Sequence, residues 1–346
     1  MQVHHYGQNE HLIDKTAVML SLEHLKWAGI RTIVNTSLYI RRSAWLSPAT
    51  QPDRIKSYPT RSNLFACRIF TPRERQNDQQ KLPLVIRAHG GGMVVNNPSM
   101  DDPIARHLAD NAHCIVVSID YSKAPQNKFP IAYEDVIEQS LAVINDPELP
   151  LDRSRVVLCG SSGGGNLLLG AAQDARLRSK IMGVAVIYPP VDLTTDGPAK
   201  MATRPDPSIP DFIGDSYAGI GQLYLDPAQY ETLADTRLSP TFFASRESLP
   251  PQILLIGAEH DMFCQEAEAM ADKLVVVSGG SKNSDEAGWR APGVQWYKVQ
   301  NQPHAFDAFP VKIPEKEKAR VAAIDGMYAI ISQWLTDIFR TAGDTN

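Results

Sequence analysis

Ser162 lies in a short glycine-rich run whose spacing could make its hydroxyl a nucleophile. The apolar residues at 156–159 lead into the sequence GSSGG at 160–164, and an apolar helical pattern follows at 167–169. In a tight strand-to-helix turn, small flanking residues tolerate the strained backbone and the central side chain is lifted clear of the sheet. The hydroxyl then sits at a helix N-terminus, whose dipole favours developing negative charge. The pattern therefore predicts nucleophilic catalysis by Ser162, and no lysine follows the glycines as it would in a phosphate-binding loop.

A second glycine-rich stretch could supply the groups that stabilise the product of such an attack. The sequence HGGG at 89–92 follows an apolar run. Attack of a serine on a carbonyl carbon creates a tetrahedral oxyanion, which needs preorganised N–H donors. We predict that the amides of Gly90, Gly91 and Gly163 donate to this oxyanion. His89 is expected to shape the loop and not to act as a base.

A general base and an acid must accompany the serine, because a serine hydroxyl is a poor nucleophile at neutral pH. Among nine histidines, His304 is the candidate base, since it follows a late strand-like run at 294–299. The acid is expected in the loop after the preceding apolar run, where it would orient the imidazole. Asp261 is the predicted acid and Glu259 is its competitor. Asp192 follows another apolar run and is expected to be a structural cap.

The elements that position these residues can be read from the apolar pattern. Short, nearly continuous apolar runs are typical of strands buried on both faces of a parallel sheet, and they occupy 84–88, 114–119, 156–159, 184–188 and 253–256. Helical patterns fall at 103–112, 131–144, 265–277 and about 315–340. The alternation predicts a doubly wound α/β sheet. An antiparallel edge hairpin is expected within 54–70, and a polar loop at 278–293.

The chain is expected to form one domain over residues 1–346. Residues 10–46 have helical spacing without a strand signal, and residues 196–236 are rich in proline, aspartate and tyrosine. Ligands of open α/β sheets bind beyond the carboxyl ends of the strands. We therefore expect residues 1–46 and 196–236 to combine into a helical lid over those strand ends.

The composition and charge of the chain exclude several classes of protein. The chain has 34 Lys and Arg against 39 Asp and Glu, a net charge of -5, so it offers no basic field for nucleic acid. No apolar run reaches membrane-spanning length, and the N-terminus has no apolar signal core. The four cysteines show no metal-type spacing and are expected to be reduced. We expect a cytoplasmic protein without metal or cofactor.

Taken together, these motifs resemble those of one enzyme family. From about residue 83 to 310 the chain resembles the hormone-sensitive-lipase branch of the α/β-hydrolases, also called the bacterial family IV esterases. The marks are HGGG at 89–92, Asp120-Tyr121, Ala124-Pro125, Phe129-Pro130, Asp135, GSSGGG at 160–165, Leu249-Pro250-Pro251, Asp261 and His304 with Phe306. The resemblance implies an α/β-hydrolase fold, with a mostly parallel eight-stranded sheet flanked by helices and a helical lid built partly from the N-terminus. It also implies an ester hydrolase that needs no cofactor.

The chain departs from the family pattern at several positions around the site. The family usually has Asp and Ala beside the serine, where this chain has Ser161 and Gly163. The usual aromatic residue after HGGG is Met93 here, and the usual Gly after the histidine is Ala305. The usual Arg and Glu near the Ala124-Pro125 pair are Ser122 and Gln126. None of these changes removes a triad or oxyanion group.

The sequence thus predicts a carboxylic ester hydrolase that acts by Ser-His-Asp acyl transfer on a small or medium apolar ester or lactone. Two alternatives stay open. One is a hydrolase-fold protein of a biosynthetic pathway that catalyses cyclisation, elimination or acyl transfer. The other is a non-catalytic ligand-binding protein, against which the presence of His304 argues. The sequence also leaves a homodimer open.

Overall fold

The computed structural model describes residues 29, 31–33, 35–36, 48–61, 63–74, 80–211, 213–285 and 287–343. Most of the helical segment predicted at 1–46 lies outside these residues. Within the described part of the chain, no helix is long and apolar enough to cross a membrane.

One sheet organises the described residues. Its strands are β1 (Arg54–Lys56), β2 (Cys67–Phe70), β3 (Leu82–Ala88), β4 (Ile115–Ile119), β5 (Leu151–Ser161), β6 (Gly183–Ile187), β7 (Gln252–Ala258), β8 (Asn283–Asp285), β9 (Gly288–Ala291) and β10 (Val294–Val299). Their spatial order is β1-β2-β4-β3-β5-β6-β7-β10-β9-β8. The central strands from β4 to β10 pair in parallel, and both edges are antiparallel. The mostly parallel α/β sheet and the edge hairpin are therefore confirmed.

The sheet differs from the prediction at one edge, because ten strands occur in the described residues where eight were expected. The segment 278–293, predicted as a polar loop, carries β8 and β9. Trp289 in β9 is buried and lies opposite Trp296 of β10. A single buried tryptophan within a polar run gives no period-two alternation, so the pattern did not indicate strands.

Helices cover both faces of the sheet. They are α1 (Asp102–Asn111), α2 (Ile131–Ile144), α3 (Gly163–Ala171), α4 (Ala175–Arg178), α5 (Gly197–Ala202), α6 (Tyr217–Tyr224), α7 (Cys264–Val277) and α8 (Pro314–Gly343). Side chains of successive strand residues point to opposite faces. Leu84 and Ile86 accordingly join the core beneath α2, α3 and α7, and Val85 joins the core beneath α1 and α8. All four cysteines are free and buried.

The segment 196–236 follows β6 and has no strand in its described residues. It contains α5 and α6, with 3₁₀ turns at Gly214–Ser216 and Pro227–Thr232. Asp196 caps α5, since its side chain accepts from the amide of Ala199. Several residues of this segment line one cavity together with Ser161 and Ser162, at the carboxyl end of β5.

Helix α3 approaches the sheet closely because two glycines lie at the contact. A Cβ atom on Gly164 would lie 2.3 Å from the carbonyl oxygen of Ala88 at the end of β3. A Cβ atom on Gly160 would lie 2.8 Å from the carbonyl carbon of Gly164. Both distances are far below ordinary contact, so only glycine permits this helix-to-strand approach.

Two glycine-to-alanine changes should therefore have opposite effects on stability. Gly164→Ala is expected to lower the free energy of unfolding by about 2 kcal/mol, because the backbone must move to admit the methyl group. Gly326→Ala, at an exposed α8 position with no atom near the added methyl, is expected to raise it by about 1 kcal/mol through higher helix propensity. Urea unfolding of both variants measures the difference. A Gly164→Ala protein as stable as the parent would contradict the close approach.

Candidate active site

Ser162 occupies the turn between β5 and α3 in a strained backbone conformation. Its φ is 51° and its ψ is -125°, a region that non-glycine residues rarely adopt. The surrounding structure holds it there, since its amide donates to the carbonyl of Ile187 in β6 at 2.9 Å. Strain of this kind persists only where neighbouring elements enforce it, and it is characteristic of functional sites. The predicted strand, turn and helix are all present.

The structure brings Ser162, His304 and Asp261 into one hydrogen-bonded chain. The Ser162 Oγ atom lies 2.9 Å from Nε2 of His304. The Nδ1 atom of the same ring lies 2.7 Å from Oδ2 of Asp261. His304 and Asp261 are almost fully buried. Because a carboxylate can only accept, Nδ1–H must donate to Asp261 in the neutral ring, which leaves Nε2 free to accept from the serine hydroxyl.

Charge favours the protonated imidazole. Burial alone would lower the pKa of His304, but the charge and hydrogen bond of Asp261, with the charges of Asp211 and Asp307, raise it above its ordinary value. The ring can therefore take up a proton without losing its position. This is the property that a general base needs during nucleophilic attack.

The competing carboxylates are engaged elsewhere. Glu259 accepts from the amide of Asn301 at 2.7 Å. Asp192 accepts from the amide of Thr194 at 2.8 Å in a local turn, and the N-cap of the following helix α5 is Asp196. Of the three acids considered, Asp261 alone contacts the His304 ring in the described residues.

The HGGG loop lies directly beside Ser162. A Cβ atom on Gly90 would be 3.4 Å from Cβ of Ser162. Gly91 has a φ of 131°, and a Cβ atom there would be 2.3 Å from the carbonyl oxygen of Val95, so this position requires glycine. The amide of Gly163 opens α3, where no intrahelical acceptor exists. Gly90, Gly91 and Gly163 line the same cavity as Ser162.

His89 supports this loop from below and is fully buried. Its Nε2 atom lies 3.1 Å from Asp120, and its Nδ1 atom lies 2.7 Å from the carbonyl oxygen of Gly90. The Tyr121 ring stacks on it at 4.5 Å. His89 makes contact with neither Ser162 nor Asp261 among the described contacts, which agrees with a loop-shaping role.

Local packing accounts for the departures from the family pattern at positions 93, 161 and 163. Ser161 Oγ accepts from Arg87 at 3.0 Å. A Cβ atom on Gly163 would be 2.7 Å from Sδ of Met93. Met93 therefore fills the space that a side chain at position 163 would need.

A buried ion pair beneath the serine was missed from the sequence. Arg87 donates to Asp101 at 3.1 Å and to Cys159 at 3.0 Å as well as to Ser161, and its side chain is 1 % exposed. The available signal was an arginine inside the apolar run at 84–88, because a buried charge needs a partner.

Aromatic rings enclose His304. The Tyr188 ring centroid lies 4.7 Å from it and that of Phe263 5.3 Å, both edge-on. The Tyr188 hydroxyl donates to Asp307 at 2.5 Å. The backbone φ of Tyr188 is 40°. These contacts restrict the imidazole to one plane, and none of them was predicted.

A cavity of about 1170 Å³ opens above the serine. Apolar and aromatic side chains dominate its described lining, which comes from the HGGG loop, α1, α6, the loop after His304 and α8. The segment 196–236 contributes many of them, including Ile213, Tyr217, Ile220, Tyr224, Leu225, Tyr230 and Leu233. The cavity is large enough for a drug-sized molecule.

The titration of His304 should report its link to Asp261. We expect its pKa to lie above ~6.5, and Asp261→Asn to lower it, because the raising charge is removed while burial remains. Glu259→Gln, on the same loop, should leave it unchanged. Nitrogen-15 NMR of labelled histidine measures all three proteins. If the pKa of His304 shifted more in Glu259→Gln than in Asp261→Asn, Asp261 would not be the acid that pairs with His304.

Known proteins share both the sequence pattern and the fold. Residues 85–285 match the profile of a family described as having the alpha/beta hydrolase fold. The chain is 28 % identical over 214 residues to an arylesterase of Saccharolobus solfataricus, covering 60 % of this chain and 66 % of that protein. It is 30 % identical over 219 residues to a carboxylesterase of Mycobacterium tuberculosis, covering 60 % and 65 %. The match thus spans just under two thirds of each of these curated relatives.

The fold comparison covers more of the chain. A hyperthermophilic esterase from Pyrobaculum calidifontis superposes with a TM-score of 0.70 at 26 % identity, over 90 % of this chain and 93 % of that one. The profile match includes the HGGG loop's flanking strand, the Ser162 turn and Asp261. The chain therefore belongs to the alpha/beta hydrolase fold family.

Proposed function

We propose that the protein hydrolyses carboxylic esters through a covalent acyl intermediate on Ser162. The observation that carries the proposal is the buried hydrogen-bonded chain from Asp261 through His304 to Ser162 at the floor of an apolar cavity. The curated relatives named as an arylesterase and a carboxylesterase support the same chemistry.

The first half of the reaction forms the acyl-enzyme. As Ser162 Oγ attacks the ester carbonyl carbon, its proton passes to Nε2 of His304, and Asp261 stabilises the resulting imidazolium. The carbonyl oxygen becomes an oxyanion that accepts from the amides of Gly90, Gly91 and Gly163. The bond from the carbonyl carbon to the alcohol oxygen then breaks, and His304 returns the proton to the leaving alkoxide.

The second half repeats these steps with water. His304 accepts a proton from water as the hydroxyl oxygen attacks the acyl carbon, and the same amides hold the second oxyanion. The bond to Ser162 Oγ breaks and His304 gives the proton back to it. The products are one carboxylic acid and one alcohol, and the free enzyme is restored.

The lining of the cavity favours a neutral, apolar substrate. Among the described lining residues, the acids are Asp101, Asp196 and Asp307, and there is one histidine, His304, but no lysine or arginine. Asp101 is paired with Arg87 beneath the cavity, whereas an anionic ester would meet the carboxylates of Asp196 and Asp307 without a cation in the lining. A small or medium apolar ester or lactone fits this lining best.

Assembly and location do not alter this chemistry. All three triad side chains and the three proposed oxyanion amides come from one chain. A homodimer and a cytoplasmic location therefore stay predictions from the sequence, and the proposed mechanism requires neither.

A fluorophosphonate probe tests the nucleophile, because only an activated serine attacks phosphorus readily. We expect stoichiometric labelling of the peptide that carries Ser162, and loss of labelling in Ser162→Ala. Hydrolysis of a p-nitrophenyl ester by Ser162→Ala should fall by at least about 10³-fold. Ser161→Ala, which removes the neighbouring hydroxyl, should still be labelled. Labelling retained in Ser162→Ala would refute the assignment.

We further propose that residues 1–46 and 196–236 act together as a lid. The side chain of Arg31 donates to the carbonyl oxygens of Val94 at 2.9 Å and Ala124 at 2.6 Å. Asn35 accepts from the amide of Asn96 at 2.9 Å. Val95 and Asn96 line the cavity, so the contacts to Val94 and Asn96 fall at its margin.

The part contributed by 196–236 can be tested at Ile220, which lies over the HGGG loop. A Cβ atom on Gly92 would be only 3.1 Å from Ile220 Cγ2. Ile220→Ala enlarges the cavity at this point, so we expect the preferred acyl chain to lengthen. Val321→Ala, at an exposed α8 position outside the cavity, should leave preference unchanged. The test is kcat/KM measured across p-nitrophenyl esters of increasing acyl length. Identical profiles for Ile220→Ala and the parent would show that α6 is not part of the substrate site.

A further inference from the structure

Two buried charged side chains from the segment 196–236 reach the loop that carries Asp261. They are Arg204, just after α5, and Asp211, seven residues further along the chain. Their side chains are 1 % and 0 % exposed, and Arg204 Nε lies 4.0 Å from Asp211 Oδ2. Fully buried charges are costly unless they bind specific partners, so their contacts indicate what they hold.

The contacts of this pair flank Asp261 on both sides. Arg204 Nε donates to the carbonyl oxygen of His260 at 2.7 Å. Asp211 Oδ2 accepts from the amide of Met262 at 3.0 Å. His260 and Met262 are the neighbours of Asp261 in the chain, so the two side chains hold the peptide groups before and after it.

The carboxylate itself has only local restraints besides His304. Its Oδ1 atom accepts from the amide of Phe263 at 2.9 Å, and its backbone amide donates to Ala258 at 3.0 Å. The Phe263 contact lies within the same loop, and Ala258 is the last residue of β7. From outside the loop, the amides of Glu259 and His260 donate to Val299 and Gln302, and Arg204 and Asp211 hold the two peptide groups next to Asp261.

The helix that precedes Arg204 is itself anchored to the core. Lys200, one helical turn earlier in α5, is 2 % exposed and contacts Glu266 of α7 and the carbonyl oxygen of Asp192. Its Nζ atom also lies 5.2 Å from the Phe263 ring centroid, which in turn contacts His304. Arg204 thus projects from a base that is attached to the sheet domain, and does not depend on a freely moving lid.

We propose that Arg204 and Asp211 are positioning residues that hold Asp261 in line with His304. This inference rests on the proposed ester hydrolysis. A misplacement of about 1 Å in a catalytic constellation can cost about 10²-fold in rate, and clamping both adjacent peptide groups prevents such a movement. The segment that lines the cavity therefore also sets the geometry of the triad.

Asp211 has a second, electrostatic effect at the same place. The charged groups that face His304 are Asp261, Asp211 and Asp307, and all three acids raise its pKa. Arg204 lies beside Asp211, with its Nε atom 4.0 Å from Asp211 Oδ2. Negative charge there stabilises the imidazolium that forms as Ser162 attacks.

The substitution Asp211→Asn separates these effects from mere support of the fold. Asn keeps an oxygen that can accept from Met262 but removes the charge. We expect kcat on a p-nitrophenyl ester to fall about tenfold, with KM changed less than about twofold. The acid limb of kcat/KM should move to lower pH by about half a pH unit, because removing the negative charge lowers the pKa of His304. Asp215→Asn, at an exposed position of the same segment, should change neither quantity.

A second variant isolates the clamp. Arg204→Lys keeps the cation but loses the planar fork that reaches His260. We expect kcat to fall while the acid limb stays where it is in the parent. Circular dichroism and thermal unfolding of each variant establish that the compared proteins are folded.

Several outcomes would overturn the inference. One is an Asp211→Asn enzyme with the parental kcat and acid limb. Another is a loss of kcat in Asp211→Asn without movement of the acid limb, which would reduce Asp211 to a support of the fold. If the parent itself cleaves no ester and takes no fluorophosphonate, the proposed function fails separately. The pKa of His304 measured by NMR then still tests the role of Asp211. An unchanged pKa in Asp211→Asn would contradict that role.

Discussion

The buried hydrogen bond between Asp261 and His304 is the interaction on which the proposed chemistry depends. It spans 2.7 Å between two side chains that lie almost wholly out of water. Such a pair can be maintained only where the surrounding structure fixes both partners, because each charged form is costly to bury. The aromatic rings around His304 and the clamp on the Asp261 loop meet this requirement. The orientation of the imidazole then fixes which nitrogen faces Ser162.

The position of Ser162 depends on a different constraint, which is steric. The turn from β5 to α3 is strained at a non-glycine residue, and it closes only because Gly160 and Gly164 let the helix touch the backbone of the neighbouring strand. The same close approach brings the HGGG loop to the serine. The proposed nucleophile and the proposed oxyanion amides are therefore placed by one packing arrangement between β3, β5 and α3.

The sequence was most informative where a functional feature depends on a short segment of the chain. The Ser162 turn, the HGGG loop and the order of Ser162, Asp261 and His304 could be predicted, because each depends on a few adjacent residues after an apolar run. The central strands could be predicted for the same reason. Contacts between distant segments could not be predicted. Examples are the contacts of Arg87 with Asp101 and of Arg204 with His260, and the edge strand β9. Each of them leaves only one unusual residue in the sequence pattern. The lid at 1–46 stays a prediction, since most of it lies outside the described residues.

In the proposed mechanism, turnover passes through an acyl group bound to Ser162. The most direct measurement is the mass of the protein quenched in acid during turnover of a p-nitrophenyl ester with a bulky acyl group, chosen so that deacylation is slow. We predict a burst of nitrophenolate equal to the enzyme concentration and a mass increase of one acyl group, located on the peptide that contains Ser162. Steady release of nitrophenolate with no acyl group on that peptide would contradict an acyl intermediate on Ser162.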